Sequence, residues 1–242
     1  MAEIIVTGYP RSGNTWLSWL LGDVLYCPVG GMYAAKPLCT EGKERPKHHQ
    51  VYQLHLRPMW EGDFDKAVPS AWCLFVPKMG EAPYKICHVV RDPRDVAVSI
   101  CHYWNLPSLN QALNCMINGV SPLKVHLTWN EHVGRWLQVK VPFIRYEDLQ
   151  ADTAGTITKL LNHWGIRYPE HRLEAAISRQ RFSKKRAQIE IDGDSRVYNK
   201  GIHLHHMRKG IAGDWKNHFN AAQLARAREA FGEIAQELGY EL

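Results

Sequence analysis

Thr7 to Leu17 reads TGYPRSGNTWL and follows the apolar, β-branched run Ile4 to Val6. A strand, a tight glycine-bearing turn and a helix start are the parts of an anion site, because the N–H groups of the turn and the positive end of the helix face one point. Gly8 and Gly13 allow the turn and the close approach of backbone to a phosphate, Thr15 offers a hydroxyl and Arg11 a charge. The spacing is nearly that of a nucleotide phosphate loop, yet Asn14 stands where such a loop needs lysine to reach the β and γ phosphates. No predicted strand ends in an acidic magnesium ligand. The stretch therefore predicts a P-loop-like turn for a nucleotide without a γ-phosphate, and a transfer with no metal.

Outward from that loop, apolar runs of strand character lie at Ile4 to Thr7, Val51 to Leu56, Lys85 to Val90 and Val141 to Tyr146. Helical periodicity falls between and after them, at Asn14 to Leu25, Pro93 to Trp104, Lys124 to Gln138, Ala151 to Trp164, Glu170 to Gln180 and Ala221 to Leu238. The alternation predicts an α/β protein, a P-loop-like three-layer fold with a central parallel sheet flanked by helices. Pro28 to Gln50 and Glu61 to Pro83, rich in Gly, Pro and charge, read as loops. Ser183 to Lys209 is polar and aperiodic, which marks it as a candidate lid or binding loop.

The chain has 242 residues, 45% of them hydrophobic, enough for one core, so a single domain over 1–242 is expected. Met1 to Val6 lack a basic leader, and no run of about 18 uncharged apolar residues occurs. The expectation is a cytoplasmic protein without a membrane span. A net charge of +6 favours an anionic partner but does not choose between a nucleotide and a nucleic acid. The six cysteines contain no Cys-x-x-Cys pair and read as reduced thiols, with Cys87 and Cys101 expected in the core.

Two further stretches carry charge at telling places. In HVVRDPRDVAVSICHYW, His88 to Trp104, a strand ends at Arg91, Asp92 and Pro93 open a helix, and Ser99 lies about two turns along. The carboxyl end of a parallel strand is where open α/β sheets bind ligands; the competing reading is a surface salt bridge between Arg91 and Asp95. In RKGIAGDWKNHF, two cations precede Gly210 and form a fork suited to a phosphate monoester.

Together YPRSGNTW, RDPRDVAVS and RKGIAGDWKNHF resemble, in order, the 5′-phosphosulfate loop, the 3′-phosphate motif and the C-terminal cosubstrate motif of cytosolic-type sulfotransferases. The resemblance spans about Gly8 to Phe219 and implies a sulfotransferase using 3′-phosphoadenosine 5′-phosphosulfate (PAPS) as cosubstrate, which is converted to 3′,5′-diphosphoadenosine (PAP). By that resemblance Arg11, Ser12, Gly13, Asn14 and Thr15 surround the 5′ end, and Trp16 stacks on adenine. Arg91, Ser99, Arg208, Lys209 and Gly210 hold the 3′-phosphate, with Tyr146 near the adenine amino group and Phe182 on the ring. The strand VYQLHLRP is similar to the family strand that ends in the catalytic histidine, so His55 is the candidate general base, with Arg11 and Ser99 as catalytic partners. His48, His49 and His102 compete for that role. Gln53 replaces the lysine usual in the family two residues before the histidine, which shifts charge stabilisation toward Arg11.

Two rival readings are a P-loop nucleotide kinase and a basic nucleic-acid-binding module; the resemblance implies no nucleic-acid partner. The acceptor expected is a small molecule with a hydroxyl or amine, with a glycan or glycolipid as the alternative. Trp60, Trp72, Phe75 and Trp104 are candidates for its pocket. His203 to His206, HLHH, has closely spaced imidazoles but no accompanying acid or thiolate cluster, and no metal site is expected. The family's dimer motif survives here only at Lys216, which leaves both monomer and homodimer open.

Overall fold

A computed structural model describes residues 2–31, 49–53, 57–59, 73–75, 84–119, 128–192 and 208–242. Five strands make the main sheet: β1 (Ala2–Gly8), β2 (Val29–Gly31), β3 (His49–Gln53), β6 (Tyr84–Val90) and β7 (Phe143–Arg145), in the order β2-β3-β1-β6-β7. Every pairing in it is parallel. A separate parallel pair joins β4 (Arg57–Met59) and β5 (Cys73–Phe75).

Side chains alternate across a strand, and here the alternation assigns the two faces of the sheet. Ile4 and Val6 of β1, with Cys87 and Val89 of β6, pack beneath α1 (Asn14–Leu25), α6 (Thr153–His163) and α7 (Glu170–Gln180). Ile5 and Ile86 point the other way, onto Trp136 of α4 (Trp129–Gln138). That side is extended by Val90, Ile100 of α2 (Pro93–Tyr103), Leu113 and Met116 of α3 (Leu109–Asn118), Trp129, and Phe231 of α9 (Ala221–Glu237). The expected layering, helices on both faces of a parallel sheet, is what forms. Trp129, His132 and Trp136 are fully buried, as expected of a packing stripe.

The register places the site. Val6 is level with Gln53, Gly8 with Val89, and Val90 with Arg145. The loop after β1, the end of β3, and the starts of α2 and α5 (Tyr146–Ala151) therefore all lie on the carboxyl edge. From β1 the chain moves toward β3 and from β6 toward β7, so a crevice opens between the two divergent loops.

The predicted bounds of α1 and α7 coincide with those observed. Four expectations need correction. The helix read over Ala151 to Trp164 is α6, and a separate helix not expected from the sequence, α5, precedes it, because Asp152 turns the chain and caps α6 by accepting from Gly155 N at 2.8 Å. α3 was absent from the sequence reading although Ser108 caps it and Gly119, at φ 67°, ends it. The stretches read as loops contain strands β2 and β5. The aperiodic segment from Ser183 opens as helix α8 (Phe182–Asp192): its Lys, Arg, Ala, Gln and Glu residues favour a helix without an apolar stripe to announce it. Cys87 is buried as expected, while Cys101 is only half-buried. Residues 193–207, with the His203 to His206 run, and residues 54–56, with His55, lie outside the described residues, as do His48, Trp60 and Trp72.

Candidate functional site

The loop after β1 is held open by its own backbone. Arg11 at φ 72° and Gly13 at φ 107° are both left-handed. For Arg11 that conformation costs roughly 1–2 kcal/mol, and its side chain shows what fixes it there. Nε donates to Ser99 Oγ at 3.1 Å, and the guanidinium lies over the Tyr103 ring, 4.3 Å from its centroid. Gly13 is also the N-cap of α1, so no side chain covers the first turn of the helix. A Cβ at Gly13 would sit 2.6 Å from the Tyr146 ring, and one at Gly8 would strike Asn14 and the Val89 carbonyl. Both glycines are thus required by close approach. Asn14 is buried and its Nδ2 donates to Gly8 O at 3.0 Å, tying helix to strand where a phosphate-loop lysine would reach outward.

Across the crevice β6 delivers Arg91. The pair Arg91–Asp95 exists at 3.5 Å, but both side chains are buried, so it is no surface salt bridge. Arg91 Nη2 also donates to Ile211 O at 2.9 Å, and its guanidinium lies 4.3 Å over the Tyr146 ring. The turn behind it is tied together: Asp92 caps α2 through Arg94 N at 2.9 Å and takes the Arg94 guanidinium on both oxygens. The segment from Arg208 closes the third side. Gln150 of α5 braces it, donating to Gly210 O and accepting from Ala212 N at 3.0 Å. Gly210, at φ 65°, stands so close to the Phe182 ring that no Cβ fits. Gln180, just before that ring, donates to the buried carboxylate of Asp23 in α1 at 2.7 Å, and Arg179 lies 3.4 Å from the same carboxylate.

Three cations from separate segments therefore share one crevice. Burial, together with the fields of Arg91 and Arg208, pushes the Arg11 guanidinium down to about 10, while Tyr103 and Tyr146 act the other way. Arg11 remains charged at neutral pH, in surroundings that an anion would relieve. Ser12 Oγ and Arg91 Nε are buried without a hydrogen-bond partner among the described residues, so the crevice has donors to offer an anion. Trp16 meets Tyr146 edge-on at 5.7 Å, next to Gly13, which gives the crevice an aromatic side.

Of the residues singled out in the sequence, Arg11, Ser12, Gly13, Asn14, Trp16, Arg91, Ser99, Tyr146, Phe182, Arg208, Lys209 and Gly210 are brought together through these contacts, with Thr15 in the first turn of α1. His102 lies in the last turn of α2, three residues after Ser99. Its neighbours are Arg208, Lys209, Asp214 and His218, the last with ring centroids 5.6 Å away. Burial, then the Arg208, His218 and Lys209 charges, lower its pKa and keep the imidazole neutral at pH 7.

Sequence reasoning passed over Asp214. Its carboxylate accepts from Arg208 Nη2 at 2.5 Å, Lys209 Nζ at 3.0 Å and Asn217 Nδ2 at 3.1 Å, and His218 Nε2 lies 3.1 Å away. Burial raises the pKa of this carboxyl, but the Arg208, Asn217 and Lys209 donors outweigh it and hold the group well below the usual carboxylate range. A depressed folded-state pKa stabilises the fold above the unfolded value, about 3.9, and that contribution fades as pH falls below it. The Tm of Asp214→Asn is accordingly expected to fall less between pH 5 and 2.5 than that of the wild type. Parallel thermal melts measure it; equal acid slopes would disprove it.

These features define an α/β protein whose loop after β1 gathers cations and free donors, with Asn14 where a phosphate loop has its usual lysine. A model of the sulfotransferase domain matches residues 2–239, and the chain belongs to that family. It is a sulfotransferase. Sulfotransferase 2A1 of Rattus norvegicus is 28% identical, covering 97% of this chain and 84% of that protein. Sulfotransferase 1E1 of Cavia porcellus is 25% identical, covering 91% and 78%. Among solved structures, mouse sulfotransferase SULT7A1 complexed with PAP superposes with a TM-score of 0.69 at 23% identity, over 98% of this chain and 84% of that one. Retinol dehydratase in complex with androsterone and inactive cofactor PAP has a TM-score of 0.67 at 18% identity, over 99% and 82%. Both share the fold described above.

Among the described residues, no group of three or more His, Cys, Asp or Glu is arranged to hold a metal ion, and no helix is long and apolar enough to cross a membrane.

Proposed function

We propose that this sulfotransferase takes its sulfuryl group from PAPS and passes it to a hydroxyl or amine of a small-molecule acceptor. The observation that carries the reading is the convergence of Arg11, Arg91 and Arg208, from three distant segments, on the crevice at the carboxyl edge of the sheet. A nucleotide bearing a 3′-phosphate and a 5′-phosphosulfate has negative charge at both ends of such a crevice. Arg91, Ser99, Arg208, Lys209 and the backbone at Gly210 would hold the 3′-phosphate; Arg11 to Thr15 would hold the 5′ end. Trp16, Tyr146 and Phe182 would enclose the adenine.

In this scheme His55 removes the acceptor proton, the acceptor oxygen or nitrogen attacks sulfur, and the bond from sulfur to the 5′-phosphate oxygen breaks, releasing PAP. Positioning and electrostatic stabilisation dominate such a transfer. Gln53 carries no charge, so Arg11 meets the charge that develops on the leaving phosphate, and no metal enters the scheme. The whole of 1–242 acts as one domain, as monomer or homodimer, in the cytoplasm.

Incubation with labelled PAPS and a panel of phenols, steroids, amines and glycolipids tests this reading. Label is expected on at least one small hydroxylated or amine acceptor, and none in reactions where ATP with magnesium replaces PAPS. Transfer confined to glycan or glycolipid acceptors would overturn the small-molecule assignment.

A further inference from the structure

Two carboxylates near the 3′-phosphate end have no part in the proposed transfer, yet they organise the cations there. Asp95, fully buried on α2, pairs with Arg91 at 3.5 Å and also accepts from Gly213 N at 2.6 Å and Trp215 N at 2.9 Å. It thus joins the end of β6 to a turn about 120 residues away in sequence. That turn is the short 3₁₀ helix Asp214–Asn217, whose first residue draws in Arg208 and Lys209. An alternating chain results: Arg91, Asp95, the turn backbone, Asp214, then Arg208 and Lys209.

Three cations held in one crevice repel one another. Alone, Arg208 and Lys209 would spread toward solvent, where long side chains keep their rotamer freedom. Each carboxylate offsets part of that repulsion, and its hydrogen bonds fix where the cation stands. Neither exhausts its partner. Arg208 has five N–H donors and spends one on Asp214, and the Lys209 ammonium has three, so both can still bind a phosphate.

We propose that Asp95 and Asp214 are positioning residues that set the spacing of Arg91, Arg208 and Lys209, and that this spacing makes the site select a nucleotide with a 3′-phosphate over the same nucleotide without one. The proposal rests on the reading that this end of the crevice holds the 3′-phosphate. It adds a specificity role to residues that need not touch the nucleotide.

Calorimetric titration of wild type, Asp95→Asn and Asp214→Asn with PAP, and separately with adenosine 5′-phosphate, tests it. Each variant is expected to bind PAP at least tenfold more weakly while its affinity for adenosine 5′-phosphate changes less than twofold. In an Arg208→Ala, Lys209→Ala background, Asp214→Asn is expected to weaken PAP binding less than twofold further, because its effect passes through those two cations. A merely structural role would weaken both nucleotides alike. An unchanged ratio of the two affinities in both variants, or full additivity of Asp214→Asn with the Arg208→Ala, Lys209→Ala pair, would overturn the proposal. Should the buried Asp95 variant fail to fold, Asp214→Asn, with Asp214→Glu expected to restore part of the selectivity, carries the test. A wild type that does not prefer PAP would instead overturn the functional reading beneath it.

Discussion

With His55 replaced by alanine, turnover is expected to fall by about 100- to 10,000-fold, the usual range for removing a positioned general base, while PAP binds as tightly as before. Topology supports the choice of residue. β3 runs parallel to β1 with Gln53 level with Val6, so β3 ends on the edge where the Arg11 loop begins. His55 follows two residues later in the sequence. A histidine suits the task because its ordinary pKa lies near the working pH. Of the rivals within the described residues, His49 opens β3 level with Ala2, at the amino edge of the sheet, and His102 is drawn among Arg208, Lys209 and His218, the cations assigned here to the 3′-phosphate. Steady-state kinetics together with a PAP titration separate chemistry from binding. A variant that turns over at the wild-type rate would remove His55 from the mechanism, and loss of turnover in His102→Ala alone would move the base there.

Gly210→Val is expected to weaken PAP binding by about 30- to 100-fold with little change in the Tm of the unliganded protein. The backbone at Gly210 has φ 65°, which costs an ordinary residue roughly 1–2 kcal/mol and a β-branched one more. Its Cβ would also enter the space of the Phe182 ring, the proposed cover of the adenine. Relief requires the segment from Arg208 to rotate away or the ring to leave, and cosubstrate binding must then reverse that change. At 1.4 kcal/mol per tenfold, a cost of about 2–3 kcal/mol gives the stated range. Gly210→Ala, without the β-branch, should lose about tenfold. The folded state itself is little affected, because residues 208–213 contribute no side chain to the buried core. PAP affinity within threefold of wild type would show that neither the glycine conformation nor the Phe182 contact matters for binding.

The fold was legible where patterning and punctuation agreed. α1 begins at the glycine turn and carries a long apolar run, and α7 begins one residue past Pro169, so both were bounded from sequence alone. Arg11, Arg91 and Ser99 stood out in the sequence because each sits at a recognisable place, a turn, a strand end or a helix, and Arg208 because a second cation and a glycine follow it. What connects them was hidden. Asp95 holds a backbone up to 120 residues away and Gln150 braces one 60 residues on, pairings that no periodicity records, while Asp214 draws in cations five and six residues before it, where no regular element announces the turn. α8 was missed for a different reason, since helix propensity without amphipathicity leaves only a weak trace. The Asp152 cap that divides α5 from α6 depends on one side-chain bond within a stretch that is otherwise helical in pattern.

The central claim, that the loop of Thr7 to Leu17 belongs to a site for a 3′,5′-substituted adenosine rather than a nucleoside triphosphate, is tested most directly by titrating the wild-type protein with PAP and with ATP and magnesium under the same conditions. Saturable binding of PAP at least 100-fold tighter than that of magnesium ATP is the predicted result. Magnesium ATP binding as tightly as PAP, or no binding of PAP, would contradict it.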